Sequence, residues 1–137
     1  MFGRDHKGID MRDSKWVAVG AIFAGAAVAM GAFGAHSLKE QLSNPNQLAN
    51  WETAVRYQMW HALALILFGL MSYQKSGGAS AIGWLFTVGM LCFSGSLYAL
   101  ALGVPAAYIW PVTPAGGLML LIGWVLFART AVRPARE

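Results

Sequence analysis

The sequence predicts an all-α membrane protein, a bundle of four transmembrane helices, and three observations support this fold class. The chain of 137 residues is 57% hydrophobic and only 12% charged, which is more apolar than soluble domains usually are. Segments 16–35, 81–102 and 111–127 contain no charged residue and no histidine, and each is long enough to cross a bilayer. A fourth segment, 54–73, is apolar over its second half. A soluble helical bundle would need polar faces at helical spacing, which the three uncharged segments lack.

The fourth segment, which would form the second helix, has a polar beginning. Its polar residues there are Arg56, Tyr57, Gln58 and His61. The uninterrupted apolar run that follows, 62–71, covers about 15 Å by helical rise, roughly half of a hydrocarbon core. Polar and ionisable groups inside a membrane are costly and usually face protein or a ligand. If the protein has a site, we therefore expect it around this segment.

The basic residues predict how the bundle is oriented. Four helices bring both termini to one side of the membrane, and most Lys and Arg lie on that side. They are Arg4, Lys7, Arg12, Lys15, Lys75, Arg129, Arg133 and Arg136. Only Lys39 and Arg56 fall on the opposite side, so the positive-inside rule places both termini in the cytoplasm or its equivalent compartment. This pattern explains the net charge of +4 without a nucleic-acid partner.

Three parts of the chain are predicted. Residues 1–14 form a charged cytoplasmic extension, 15–128 the four-helix membrane domain, and 129–137 a basic cytoplasmic tail. Within the membrane domain, the long first connection ends at 47–51, which we predict to be an amphipathic segment leading into the second helix.

Small residues recur along the first helix. Ala21, Gly25 and Ala29 are spaced four apart and therefore share one face. Such a face lets another helix approach closely, so we predict that it packs against a helix.

Polar side chains from all four helices are predicted to lie in the same outer layer of the bundle. They are His36, Tyr57, Gln58, His61, Ser94, Ser96, Tyr98 and Thr113. Short connections make successive helices neighbours, so these groups are expected to meet in one cluster. Glu52 and Arg56, also four residues apart, are expected to form an interfacial ion pair beside it.

The chemistry of the two histidines, His36 and His61, has several interpretations. Each ring could be hydrogen-bonded to a hydroxyl or a backbone carbonyl and hold helices together. The pair could instead bind a metal ion or haem, because neutral imidazole is a common ligand. Two histidines alone, however, provide fewer protein ligands than zinc sites usually have. His61 could also belong to a proton or ligand relay. The sequence requires no cofactor, and it contains no phosphate-binding loop, dinucleotide fingerprint, HExxH or GxSxG motif.

Four ordered motifs carry a resemblance to a known family. They are Gly31-Ala32-Phe33-Gly34-Ala35-His36, Tyr57-Gln58 followed by His61-Ala62-Leu63-Ala64-Leu65, Phe93-Ser94-Gly95-Ser96-Leu97-Tyr98, and Thr113-Pro114-Ala115-Gly116-Gly117. The chain resembles, over about residues 16–127, the family called domain of unknown function 423, which is related to eukaryotic transmembrane protein 256. The resemblance implies a small four-helix integral membrane protein, located in the inner membrane of bacteria. It implies no established activity.

Two main hypotheses of function follow. The first is a non-enzymatic membrane component that packs with itself as a homo-oligomer or within a larger membrane complex. The alternative is a protein that handles a metal ion, protons or a small ligand in the outer polar layer. A membrane enzyme is a third hypothesis, which no catalytic motif supports.

Overall fold

The computed structural model describes residues 11–42, 44–74 and 80–132. Within these residues the chain forms four long helices, a π-helical turn and one short helix. In chain order they are α1 (Met11–Phe33), the π-helical turn (Gly34–Leu38), α2 (Pro45–Gln74), α3 (Ser80–Ala101), α4 (Ala106–Ile109) and α5 (Val112–Val132). The four long helices are long and apolar enough to cross a membrane, which confirms the predicted fold class. The side of the membrane on which the termini lie stays a prediction.

The second helix is longer than the sequence predicted. It begins at Pro45, so it includes the predicted lead-in 47–51 and continues without a break into the apolar run. Asn44 caps it, because its Oδ1 accepts a hydrogen bond of 2.9 Å from the backbone N–H of Asn46, and proline suits the first helical position. The candidate span Pro45–Met71 covers about 40 Å by helical rise. The short apolar run therefore does not prevent α2 from crossing a bilayer.

The core lies along α2 and α3. Helix α1 packs against α2, α2 against α3, and α3 against α5. In the most apolar window of each span, 44% of the residues in α2 and α3 are buried, against 17% in α1 and α5. Phe86, Leu65 and Ile82 are among the large side chains that are fully buried. The two central helices thus carry the interior, and the two flanking helices expose most of their surface.

Glycines bring neighbouring backbones into close contact. A Cβ atom at Gly20 would lie 2.7 Å from the carbonyl oxygen of Ala62, which joins α1 closely to α2. A Cβ atom at Gly116 would lie 2.5 Å from the backbone nitrogen of Phe93 and 2.9 Å from the carbonyl oxygen of Gly89. Real Cβ atoms do not approach this closely, so these positions accept only glycine without a shift of the backbone. The close approach positions the polar side chains on α3 and α5 within reach of each other.

The connection after α3 begins with a regular helix end. Gly103 has a φ of +91°, and its N–H donates to the carbonyl of Leu100 at 3.1 Å. The N–H of Val104 donates to the carbonyl of Ala99 at 2.9 Å, which completes a Schellman end. The chain then forms α4 before it enters α5.

Parts of the predicted terminal segments lie outside the described residues. These parts are 1–10 of the charged extension, 133–137 of the basic tail, and the connection 75–79, which contains Lys75. The described chain begins within the predicted extension, where α1 starts at Met11. The division of the chain at 14 and 129 stays a prediction.

Candidate functional site: an interhelical polar layer

Gln58 links three helices. Its side chain lies on α2 and is only 6% exposed. The Nε2 atom donates a hydrogen bond of 2.9 Å to the carbonyl oxygen of Phe23 on α1. The Oε1 atom accepts a hydrogen bond of 2.9 Å from the hydroxyl of Tyr98 on α3. Because the amide uses both its donor and its acceptor, it joins α1, α2 and α3 in one network.

His61 has both ring nitrogens occupied. The ring is 5% exposed, and Nδ1 lies 2.7 Å from the carbonyl oxygen of Tyr57, which can only accept. Nδ1 therefore carries the hydrogen. The indole Nε1–H of Trp124 donates to Nε2 at 3.1 Å, so Nε2 must be unprotonated. This pairing defines a neutral imidazole in one tautomer, and it couples α2 to α5.

Two hydroxyls couple α3 to α5. The Oγ of Ser96 donates to the carbonyl oxygen of Phe93 at 2.9 Å and lies 2.6 Å from the Oγ1 of Thr113. Since the hydrogen of Ser96 is used, Thr113 donates in this second contact. Ser94 behaves differently, because its buried Oγ has no hydrogen-bond partner among the described residues. An unpaired buried hydroxyl costs about 1–3 kcal/mol of stability.

The two histidines are far apart. Since α1 approaches the carbonyl of Ala62 at Gly20, His61 lies level with this part of α1. His36 is exposed on the π-helical turn, about 24 Å farther along the helix by rise. The two rings are therefore too distant to bind one metal ion. The described residues also contain no group of three His, Cys, Asp or Glu side chains that could hold a metal.

The remaining polar candidates form contacts in pairs instead of one open cluster. Gln58 pairs with Tyr98, and Ser96 with Thr113, each across a helix boundary. The ring of Tyr57 lies against Phe93, with centroids 4.8 Å apart, and its backbone carbonyl accepts from His61. The hydrogen bonds of these pairs lie inside the bundle, as expected of a layer that holds helices together.

Two tryptophans belong to the layer although the sequence did not predict them there. Trp51 is 3% exposed, and its Nε1–H donates to the carbonyl oxygen of Met30 at 3.0 Å. Trp124 donates to His61. The buried indole of Trp51 needs an acceptor for its N–H, and this requirement was the available signal for that residue. Trp124 is 42% exposed, so no such requirement indicated its contact with His61.

Two cavities open beside the layer. One, of about 510 Å³, lies between α2 and α5 and is lined mainly by aromatic side chains. Its lining includes Tyr57, Trp60, His61, Phe93, Leu121 and Trp124. The other, of about 720 Å³, is a groove between α1 and α2 that contains both Glu52 and Arg56. These two side chains are exposed, and the ion pair between them stays a prediction.

Comparison with known proteins agrees with the helical membrane fold. The UPF0382 membrane protein of Staphylococcus epidermidis is 42% identical over 111 residues, which cover 81% of this chain and 89% of that protein. The UPF0382 membrane protein YwdK of Bacillus subtilis is 37% identical over 120 residues, which cover 86% of this chain and 96% of that protein. No solved structure shows significant similarity to this chain.

The family model described as protein of unknown function (DUF423) matches residues 30–117. This range contains the π-helical turn, α2, α3, α4 and the beginning of α5, and hence all eight predicted residues of the polar layer but not Trp124. The match confirms the resemblance that the four sequence motifs indicated. The chain belongs to the DUF423 family of membrane proteins, for which no specific activity is established.

Proposed function

We propose that this protein is a non-enzymatic membrane component that associates with a second copy of itself through α1. The observation that carries the proposal is the exposed small-residue face of that helix. Ala21, Gly25 and Ala29 are all exposed, and a Cβ atom at Gly25 would meet nothing within 4 Å. The face therefore packs against no helix in the described part of its own protomer. Small residues at such a face allow two backbones to approach closely in a membrane.

The other flanking helix provides a comparison. The spans of α1 and α5 have equal buried shares, but α5 exposes bulky aliphatic residues, as a lipid-facing surface does. Leu118, Leu121 and Val125 are 59%, 65% and 59% exposed. Helix α1 does expose Ile22 and Val28, yet these border its row of alanine and glycine. The difference between two equally exposed helices favours lipid beside α5 and a helix beside α1.

The polar layer supports a packing function as well. Gln58 and His61 form hydrogen bonds within the bundle, so the layer holds the helices of one protomer together. A rigid protomer of this kind suits assembly, because its association surface is preformed.

Substituting Gly25 by leucine is expected to abolish self-association. The leucine side chain enters open space in the protomer but separates the two α1 helices, so the fold persists while the dimer is lost. Gly95→Leu is the matched control, because Gly95 on α3 is also exposed and also has open space around its Cβ position. Chemical cross-linking in native membranes and light scattering in mild detergent measure the oligomer. A wild-type monomer in native membranes, or equal effects of both variants, would contradict the proposal.

We further infer that the protein lies in the cell inner membrane with both termini in the cytoplasm. The excess of Lys and Arg beside the terminal helix ends supports this orientation. A periplasmic reporter enzyme is expected to be inactive when fused after Glu137 and active when fused after Gly103. Activity of the reporter fused after Glu137 would show that the protein has the opposite orientation.

A second candidate function, the handling of a small ligand, is favoured by the cavity between α2 and α5. The ring centroid of Tyr57 lies 5.2 Å from that of Trp60 and 4.8 Å from that of Phe93. Aromatic side chains therefore surround an apolar space beside His61. Such a space suits a hydrophobic molecule dissolved in the membrane. Organic extraction of natively purified protein, compared with the Leu121→Trp variant, separates this function from the first, because Leu121 lines this cavity at an exposed position. A molecule recovered only from the wild type would favour ligand handling.

A further inference from the structure

The groove between α1 and α2 has the shape of a site for one acyl chain. Small residues of α1, among them Ala27 and Gly31, line it opposite Val55 and Met59 of α2. Along α2 the lining extends from 48 to 60, which is about 18 Å by helical rise. This length is slightly more than half of a hydrocarbon core of about 30 Å, the part of the bilayer that one leaflet occupies.

The charges of the groove are arranged along its length. Lys39 lines one end, just after the π-helical turn, and Arg56 lines the groove about 7.5 Å beyond Trp51 by helical rise. Glu52 lies between them, one turn from Arg56. These three charged side chains are exposed and carry a net charge of +1. A cation on an outward surface of a membrane protein is costly unless an anion pairs with it, although the long stem of an arginine can extend toward the headgroups. Glu52 can pair with only one of the two cations, so one positive charge in the groove is left for an external anion.

We propose that this groove binds an anionic glycerophospholipid from the adjacent leaflet. One acyl chain lies along the apolar floor toward Met59. The phosphate lies between Lys39 and Arg56, where the guanidinium group donates to phosphate oxygens in its preferred forked geometry. A hydroxyl of the headgroup donates to Glu52. The net charge of −1 on such a lipid complements the net charge of +1 in the groove.

The apolar length of the groove distinguishes a lipid from other occupants. A free phosphate or a soluble anion would contact Lys39 and Arg56 but would leave the long floor uncovered. A second copy of the chain is better suited to the row of Ala21, Gly25 and Ala29, which does not line the groove. The combination of an apolar floor, two cations beside it and a net positive charge suits an anionic phospholipid.

Native mass spectrometry of the full chain in mild detergent with added phosphatidylglycerol tests the proposal. The wild type is expected to retain one lipid. The Lys39→Gln, Arg56→Gln double variant is expected to lose occupancy about tenfold, as the removal of two solvent-exposed ion pairs implies. Lys15→Gln with Arg129→Gln removes the same charge outside the groove and is expected to leave occupancy unchanged. Ala32→Trp, which fills the groove at an exposed position, is expected to reduce occupancy without changing any charge.

Several results would overturn the proposal. Equal losses in the groove and control double variants would show a general charge effect. Equal retention of phosphatidylcholine would remove the preference for an anionic headgroup, and groove-dependent binding of inorganic phosphate would identify a soluble anion. Ala32→Trp protein that keeps its lipid but loses its dimer would assign the groove to a second copy. Circular dichroism of each variant verifies that the helices are intact, and Ala32→Trp tests the groove independently of the charges.

Discussion

Substituting Gly116 by alanine is expected to lower the free energy of unfolding by about 2–3 kcal/mol, the upper part of the usual range for an overpacked interior. The added Cβ atom would lie 2.5 Å from the backbone nitrogen of Phe93 and 2.9 Å from the Cβ of Cys92. Backbone atoms cannot rotate away, so α3 and α5 must move apart along their contact. Titration of micellar protein with a denaturing detergent, followed by tryptophan fluorescence, measures the change.

The neighbouring glycine provides the control. A Cβ atom at Gly117 would meet only ring carbons of Phe93, at 3.5 and 3.6 Å, which are ordinary contact distances. Gly117→Ala gains the same helix propensity as Gly116→Ala, so this gain cancels in the comparison. If the two variants unfold with the same free energy, the close approach of α3 and α5 does not limit stability.

Replacing Gln58 by leucine is expected to destabilise the bundle by about 1–3 kcal/mol. The variant loses the hydrogen bonds to Phe23 and Tyr98, and each interhelical hydrogen bond in a membrane contributes about 0.6 kcal/mol on average and up to about 2. Tyr98→Phe is expected to lose part of this amount. In the double variant the losses are not additive, and the coupling between the two sites is expected to be about 0.6–2 kcal/mol.

Ser94→Ala is the control for the removal of a hydroxyl from α3. The Oγ of Ser94 is buried and has no partner in the described part of the chain, so its loss is expected to leave stability unchanged or to raise it. The same detergent titration measures the free energy of unfolding of the wild type, the two single variants, the double variant and Ser94→Ala. A coupling between Gln58 and Tyr98 that is indistinguishable from zero would mean that their hydrogen bond does not hold α2 to α3.

Comparing the predicted polar cluster with the observed contacts shows how far positions in the sequence determine which side chains meet. The prediction placed eight polar residues at one depth, and the structure resolves most of them into separate pairs. Gln58 meets Tyr98, Ser96 meets Thr113, and His61 meets a tryptophan that lay outside the prediction. Depth follows from position along a helix, but partner choice depends on rotation about the helix axis and on which backbones approach closely. Between α3 and α5, Gly116 allows this close approach of the backbones.

The sequence by itself determined that the chain forms membrane-spanning helices, because long runs without charge can satisfy their backbone hydrogen bonds in lipid only as helices or closed barrels. It also determined the family, through motifs that the comparison confirmed. Only the tertiary structure decided that polar residues of the second helix, Gln58 and His61, form hydrogen bonds that hold helices together. The capped start at Pro45 lengthens that helix. Gln58 lies level with Phe23 of α1 and Tyr98 of α3, so that it satisfies its buried amide through both of them.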